Sequence, residues 1–174
     1  MGRLAADLLN AGCDVIFDQW HNVSVGASIA RFVERAGKSQ FVIVVGTRRY
    51  LEKYKTNENI LAPGSVLAGR ADIVNQRLLG SEAQKRSILP ILREGEAENA
   101  LPVLARGRVY GDFRNETHYF VALFDLILTM VGVGFDMPGI IELRETLKSA
   151  AAKLESVGIA PTDADRNSEG VATA

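Results

Sequence analysis

Hydrophobic and polar residues follow two periodicities along the chain. One places an apolar residue every three or four positions, typical of a helix with one buried face, and the other is a short apolar run, typical of a buried strand. Helices are predicted over residues 3–11, 27–36, 72–79, 117–131 and 136–157, and strands over residues 15–17, 41–45, 87–92 and 108–113. Strands that alternate with helices predict an α/β domain with a parallel sheet.

Two features of the pattern concern the edges of this sheet. Pro90 removes a backbone donor from the run 87–92, which predicts a strand near the sheet edge. The chain also starts on a helix, whereas a parallel α/β domain normally starts with a strand. Either the fold lacks its first strand or the chain is the remainder of a longer one, and the second interpretation is favoured. Both would expose one side of the central strand.

Residues 52–86 have the least regular pattern. Asparagine, proline and glycine residues interrupt the segment, at Asn57, Asn59, Pro63, Gly64 and Gly69. Apart from the short helix predicted at 72–79, the segment is expected to be a long loop. A loop of this length in a compact domain is usually functional or mobile.

The C-terminal part of the sequence divides into a helix and a tail. A helix is predicted within residues 136–158, with Asp136 as its N-cap and Pro138 in its first turn. Its apolar positions are Ile140, Leu143, Leu147, Ala150, Leu154 and Val157. This spacing covers only about two and a half heptads, so a helix docked on its own domain is favoured over a dimer seam. Residues 159–174 are predicted to be disordered, which leaves residues 1–135 as the main domain.

Composition and charge exclude several classes of protein. The chain has 174 residues, of which 47% are hydrophobic and 24% charged, as in one globular domain. The net charge of -1 gives no basic field for nucleic acid, so no nucleic-acid partner is predicted. Cys13 is the single cysteine, which excludes an internal disulfide and fits the reducing cytoplasm. No metal site is predicted, because two lone histidines do not form one.

A membrane span is also not predicted. The most apolar segment, residues 119–135, is shorter than the roughly 20 residues that a span requires. Asp125 lies in its middle, where a charge is costly in lipid. The segment is therefore interpreted as a buried helix.

The order of the apolar runs and their flanking residues resembles a TIR (Toll/interleukin receptor) domain, of the bacterial branch related to SEFIR domains. The resemblance rests on "LAADLLNAGCDVIFDQW", "VGASIARFVERAGKSQFVIVVGTRRYLEKY" and "SILPILREGEAENALPVLARGRVYGDFRNETHY". The matching residues include Leu4, Gly12, Asp18, Trp20, Gly26, Phe32, Thr47, Tyr50, Pro90, Asp112 and Phe113. It implies a flavodoxin-like fold, a parallel sheet with helices on both faces, here with its first strand apparently missing.

The resemblance also assigns a role to the loop between Gln19 and Gly26. This segment would be the family's BB loop, which mediates contacts between TIR domains and borders a nucleotide pocket. Trp20 lies beyond the carboxyl end of the predicted strand 15–17, where open α/β sheets bind ligands. Trp20 either packs under the loop and fixes its shape, which is favoured, or contacts a ligand.

Many bacterial TIR domains are NAD glycohydrolases, which need a carboxylate near the ribose of NAD. In this sequence the expected acid position is occupied by Gly69 or Arg70. Glu58 is the best remaining catalytic candidate, although a solvated loop carboxylate is the favoured interpretation. Arg48 opens a basic cluster that could receive phosphates, although such a group is more often a solvated helix start.

These observations predict a signalling module that works by TIR–TIR self-association in bacterial-type innate immunity, that is, antiphage defence. The alternative is an NAD+ nucleosidase, a hydrolase that releases nicotinamide and ADP-ribose or a cyclic product. A non-catalytic nucleotide sensor is a third hypothesis. No cofactor is predicted, NAD being a candidate substrate, and the partners are copies of the chain or other TIR domains.

Overall fold

The structure is a computed structural model that describes residues 2–17, 29–59 and 66–157. Of residues 29, 30, 56–59 and 66–71 it describes the backbone alone. The helices are α1 (Gly2–Asn10), α2 (Ile29–Lys38), α3 (Arg48–Asn59), α4 (Val66–Leu79), α5 (Glu82–Arg86), α6 (Ala97–Ala100), α7 (Val103–Arg106), α8 (Tyr119–Val131) and α9 (Pro138–Val157). The strands are β1 (Val42–Gly46), β2 (Ile88–Leu92) and β3 (Gly111–Asp112).

The three strands form one parallel sheet in the order β1-β2-β3. β1 and β2 pair over five residues, from Val42 opposite Ile88 to Gly46 opposite Leu92. Both strands lie where the continuous apolar runs predicted them. β3 is shorter than predicted, with two residues in place of the six expected at 108–113.

Helices cover both faces of this sheet because side chains alternate along each strand. On one face Leu89 and Ile91 pack with helices α1 and α8, and on the other Ile88 and Leu92 pack with helices α4, α6 and α7. This is the parallel α/β sheet that the sequence predicted, in the flavodoxin-like arrangement that the resemblance implied. Phe113, 1% exposed, is the largest of the fully buried side chains among the described residues, and it lies in the first of these layers.

Pro90 lies in the middle strand of the sheet, so the prediction of an edge position is wrong. All five residues of β2 are buried. The N–H of Val42 donates to the C=O of Ser87, so Ser87 and the odd-numbered residues of β2 direct their backbone groups toward β1. Pro90 therefore faces β3, whose ladder begins one residue later. Because Pro90 has no N–H to donate toward β3, the ladder between β2 and β3 starts only at Ile91 and is short.

The other edge of β1 has no strand beside it among the described residues. By the same alternation, Ile43 and Val45 direct their backbone groups toward this edge. Residues 13–17 lie near it without regular secondary structure, so the strand predicted at 15–17 is wrong. Cys13 and Val15 pack their side chains on the core, but no ladder joins this segment to β1. The apolar residues 15–17 correctly indicated burial, but a buried segment without regular secondary structure has the same apolar pattern as a strand.

Residues 52–86 are more helical than the sequence predicted. α3 extends to Asn59 and α4 begins at Val66, so Asn57 and Gly69 lie within helices. Leu51 and Val74 are buried, and this packing overrides the weak helix propensities of the interrupting residues. Residues 60–65, with Pro63 and Gly64, lie outside the described residues.

The C-terminal helix α9 docks on α8, as predicted, but through a different face. Arg144 binds Asp125 of α8, and Ala151 is the buried residue of α9. The apolar positions that were expected to face inward include Leu143 and Leu154, which are exposed. Among the described residues, no helix is both long enough and apolar enough to cross a membrane. The predicted disordered tail lies outside the described residues.

Candidate functional site

The carboxyl edge of the sheet gathers charged side chains from several elements. Arg48 follows β1, Arg93 and Glu94 follow β2, and Arg114 follows β3. In open α/β sheets ligands bind in the crevice outside the carboxyl ends of the strands. We therefore take this edge as the candidate functional site.

Arg48 is held at this edge by the start of α3. The Oγ1 of Thr47 accepts a hydrogen bond of 3.0 Å from the N–H of Tyr50, which caps the helix. The stem of Arg48 lies against Gly95, in the turn after β2: a β-carbon at Gly95 would lie 3.4 Å from Arg48 Cγ. The guanidinium is exposed and has no ion pair with the residues that the structure describes. It is a cation presented beside a helix N-terminus, a position suited to an anion.

Glu116 joins three parts of the edge through two arginines. It forms ion pairs with Arg3, at 3.3 Å, and with Arg93. Arg93 also donates a hydrogen bond of 2.7 Å to the C=O of Phe113. These contacts connect the start of α1, the end of β2 and the segment before α8, so Glu116 has a structural role here.

Arg114 forms a second ion cluster with Asp112 and Glu96. It donates two hydrogen bonds to Asp112, of 3.0 and 2.7 Å, and one of 2.8 Å to Glu96. The hydrogen bond from Arg114 is the main reason that the pKa of Asp112 lies below its usual value. Asp112 in turn is the main reason that the pKa of Arg114 is raised. Both groups are held charged, so neither is suited to proton transfer near neutral pH.

Glu94 is a carboxylate that sequence reasoning did not single out. It directly follows β2, its side chain is exposed, and it has no ion pair within the described part of the chain. Its position after a buried strand was the signal that could have identified it. At this edge Asp112 and Glu116 are bound by arginines, whereas Glu94 stays open to solvent.

A separate apolar cavity of about 360 Å³ lies between residues 13–17 and β1. Its walls come from α1, α2, α4 and β1, and include Leu8, Phe32 and Val74. Asp14 is its charged lining residue, and no Lys, Arg or His lines it among the residues described. The cavity can therefore accept apolar groups but offers no cation to a pyrophosphate.

The structure separates the predicted site residues that it describes. Arg48 lies in the first turn of α3 and the backbone of Glu58 in its last turn, so Glu58 is in a helix and not in the predicted loop. A rise of about 1.5 Å per residue places these two about 15 Å apart along the helix. The helix therefore does not bring them together. Trp20 and Gly26 lie outside the described residues, and their assignments stay predictions.

The fold and its charged edge define an open parallel α/β domain. A family model described as "TIR domain" matches residues 1–128. The match covers most of the chain, which therefore belongs to the TIR domain family. No curated protein and no solved structure matches the chain.

Membership of this family narrows the function to two classes. TIR domains act as signalling and interaction modules, typically by binding other TIR domains, or as NAD hydrolases. The matched residues include the whole sheet and end within α8. Helix α9 lies beyond the match.

Proposed function

We propose that the protein is a signalling module of the bacterial, SEFIR-related branch of TIR domains, acting by TIR–TIR self-association in antiphage defence. The observation that carries the proposal is the identity of the residues where an acid is expected. Gly69 and Arg70 occupy these positions, within α4, and neither can stabilise an oxocarbenium ion. A cytoplasmic location is part of the proposal, since Cys13 stays reduced there.

The ion pairs of the carboxyl edge add support. A carboxylate that stabilises the positive charge on a ribose has to face that charge without a competing cation. Glu116 is held by Arg3 and Arg93, and Asp112 is held by Arg114. These two acids stabilise the ends of the strands, so neither is free to face the charge on a ribose.

The proposal is tested by sedimentation velocity and by a nicotinamide-release assay on the same preparation. Self-association that increases with protein concentration, with no nicotinamide released from NAD, is the expected result. A strictly monomeric chain that also fails to bind other TIR domains would overturn it.

The second candidate function, an NAD+ nucleosidase, is favoured by one specific observation. Arg48 presents an exposed cation at the carboxyl edge, where the phosphates of NAD could bind, and the exposed Glu94 lies on the same edge. NAD would be a substrate in this case and not a cofactor. The nucleotide sensor would use the same cation without turnover.

Substitution of the two acids decides between these candidates. Nicotinamide release that is lost in Glu58→Gln supports Glu58 as the carboxylate, and release that is lost only in Glu94→Gln moves the role to Glu94. NAD-dependent thermal stabilisation without turnover supports the sensor.

A further inference from the structure

Helix α9 carries an apolar stripe that its own domain leaves largely uncovered. The stripe consists of Ile140, Leu143, Leu147, Ala150, Leu154 and Val157. Leu143 and Leu154 are each 46% exposed and Val157 is 67% exposed, whereas Ile140 and Leu147 are half-buried. Single exposed apolar residues are normal on a protein surface, but a continuous row of them marks an interaction surface.

The orientation of the stripe is fixed, because a neighbouring face of α9 is docked on the domain. Arg144 binds Asp125, Ala151 is buried, and Glu155 accepts hydrogen bonds from the loop before α8. With 3.6 residues per turn, this docked face lies about a quarter turn from the stripe. The outward part of the stripe consists of Leu143, Ala150, Leu154 and Val157, which are exposed. Ile140 and Leu147 lie at its border with the docked face and are half-buried.

The spacing of the stripe is the same in both directions. Successive positions are separated by three, four, three, four and three residues. A second copy of α9 laid antiparallel across the first therefore matches every position, around a twofold axis between Lys148 and Ser149. The opposed pairs are Ile140 with Val157, Leu143 with Leu154, and Leu147 with Ala150. Self-complementarity of this kind is what a twofold contact requires.

The charges that border the stripe favour the antiparallel arrangement. Glu142 and Lys153 lie on the same border, and neither has an ion pair among the described residues. The remaining charged side chains of α9 are engaged: Arg144 with Asp125, Glu145 with Lys148, and Glu155 with Asn115 and Thr117. In the antiparallel pair, Glu142 of one copy lies about two residues, or ~3 Å along the axis, from Lys153 of the other copy. The twofold axis creates this Glu–Lys contact at two places. In a parallel pair, the same border of the two copies would lie on opposite sides of the contact, so Glu142 and Lys153 would not meet.

We infer that α9 is a homodimer interface in which two copies of the chain pair their helices antiparallel through this stripe. The inference rests on the proposed function, self-association, and names the surface that carries it out. A helix of 20 residues is about 30 Å long and 10 Å wide, so the contact covers on the order of 300 Å² per copy. Stable interfaces bury about 800 Å² per partner. The dimer is therefore weak and reversible, and forms as the local concentration rises.

The first test uses disulfide cross-linking in a Cys13→Ser background, with Leu143→Cys in one preparation and Leu154→Cys in another. After mild oxidation of the mixture, a disulfide should join position 143 of one copy to position 154 of its partner. Each preparation alone should cross-link little, since identical positions lie about 16 Å apart along the axis. Efficient cross-links within either single preparation, or none in the mixture, would overturn the antiparallel dimer.

The second test measures the dimer Kd of the full chain by sedimentation velocity. Leu154→Asp should raise the Kd more than tenfold, whereas Ile141→Asp should leave it unchanged, since Ile141 is 49% exposed on the opposite side of the helix. Glu142→Lys should weaken the dimer, and adding Lys153→Glu should restore it.

These outcomes separate the inference from the proposed function. Self-association of equal strength in the wild type and in Leu154→Asp would overturn the α9 interface and leave TIR–TIR association standing. A wild-type chain that stays monomeric at every concentration would overturn both.

Discussion

Arg144 donates two hydrogen bonds, each 2.8 Å long, to the two carboxylate oxygens of Asp125. The residues belong to α9 and α8, so the paired hydrogen bonds join the two helices at this point. Asp125 is also the main reason that the pKa of Arg144 is raised. Together with the buried Ala151, this pair marks the face of α9 that docks on the domain.

Loss of the paired hydrogen bonds between Arg144 and Asp125 should weaken the docking of the C-terminal helix α9. We expect Arg144→Lys, which keeps the charge but not the paired geometry, to lower the free energy of unfolding by about 1 kcal/mol, since the pair is partly exposed. Urea denaturation followed by circular dichroism measures this. Lys148→Ala is the matched control, because it removes an exposed pair within α9. An equal effect of the two variants would contradict the docking role.

Phe113 should be the most sensitive aromatic position of the core. Its ring lies edge-on to Tyr119, with the ring centroids 5.7 Å apart. We expect Phe113→Ala to lower the free energy of unfolding by about 3–5 kcal/mol, because it leaves a cavity in the layer between the sheet and α8. Phe120→Ala, at a side chain that is 57% exposed, should cost far less. Similar urea midpoints for the two variants would show that the packing is wrong.

The turn after β2 should not tolerate a side chain. Gly95 has φ of 76°, and a β-carbon there would collide with Asn99 Oδ1. We expect Gly95→Ala to lower the free energy of unfolding by about 1 kcal/mol or more. Gly107→Ala is the control, since Gly107 has φ of -74° and open space around it. Thermal melts that destabilise both variants equally would contradict this assignment.

The Asp112–Arg114 pair predicts how stability changes with pH. The folded pKa of Asp112 is lowered, chiefly by its hydrogen bond from Arg114. A lowered folded pKa contributes stability above the unfolded pKa, near 3.9, and that contribution is lost as the pH falls through the folded value. We expect Asp112→Asn to be less stable than the wild type at pH 7, with the difference shrinking below about pH 4. Urea titrations between these values check it, and a constant difference would contradict the pairing.

The sequence predicts the elements that depend on burial better than those that depend on orientation. The run 41–45 was identified because a strand buried on both faces is apolar throughout. The position of Pro90 in the sheet was not predictable, because the sequence does not show toward which neighbouring strand the backbone nitrogen of this residue points. The same holds for α9, whose docked face carries Arg144 and Ala151, whereas Leu143 and Leu154 of the apolar stripe are exposed.

The candidate site was predictable only in part. Arg48 could be placed at the carboxyl edge because it follows an evident strand. Its contact with Gly95 depends on the parallel pairing of β1 with β2, which joins residues far apart in sequence. The role of Asp112 as a partner of Arg114 likewise needed the turn geometry after β3.

The edge of β1 that pairs with no strand among the described residues has a consequence for the solution behaviour of the chain. The run 41–45 combines β-branched residues with no charge, the composition of segments that stack into fibrils when their backbone groups are free. Residues 13–17 line the cavity beside this edge without pairing with it. Because this segment forms no ladder with β1, we expect its displacement to leave Ile43 and Val45 able to pair with the edge of another chain.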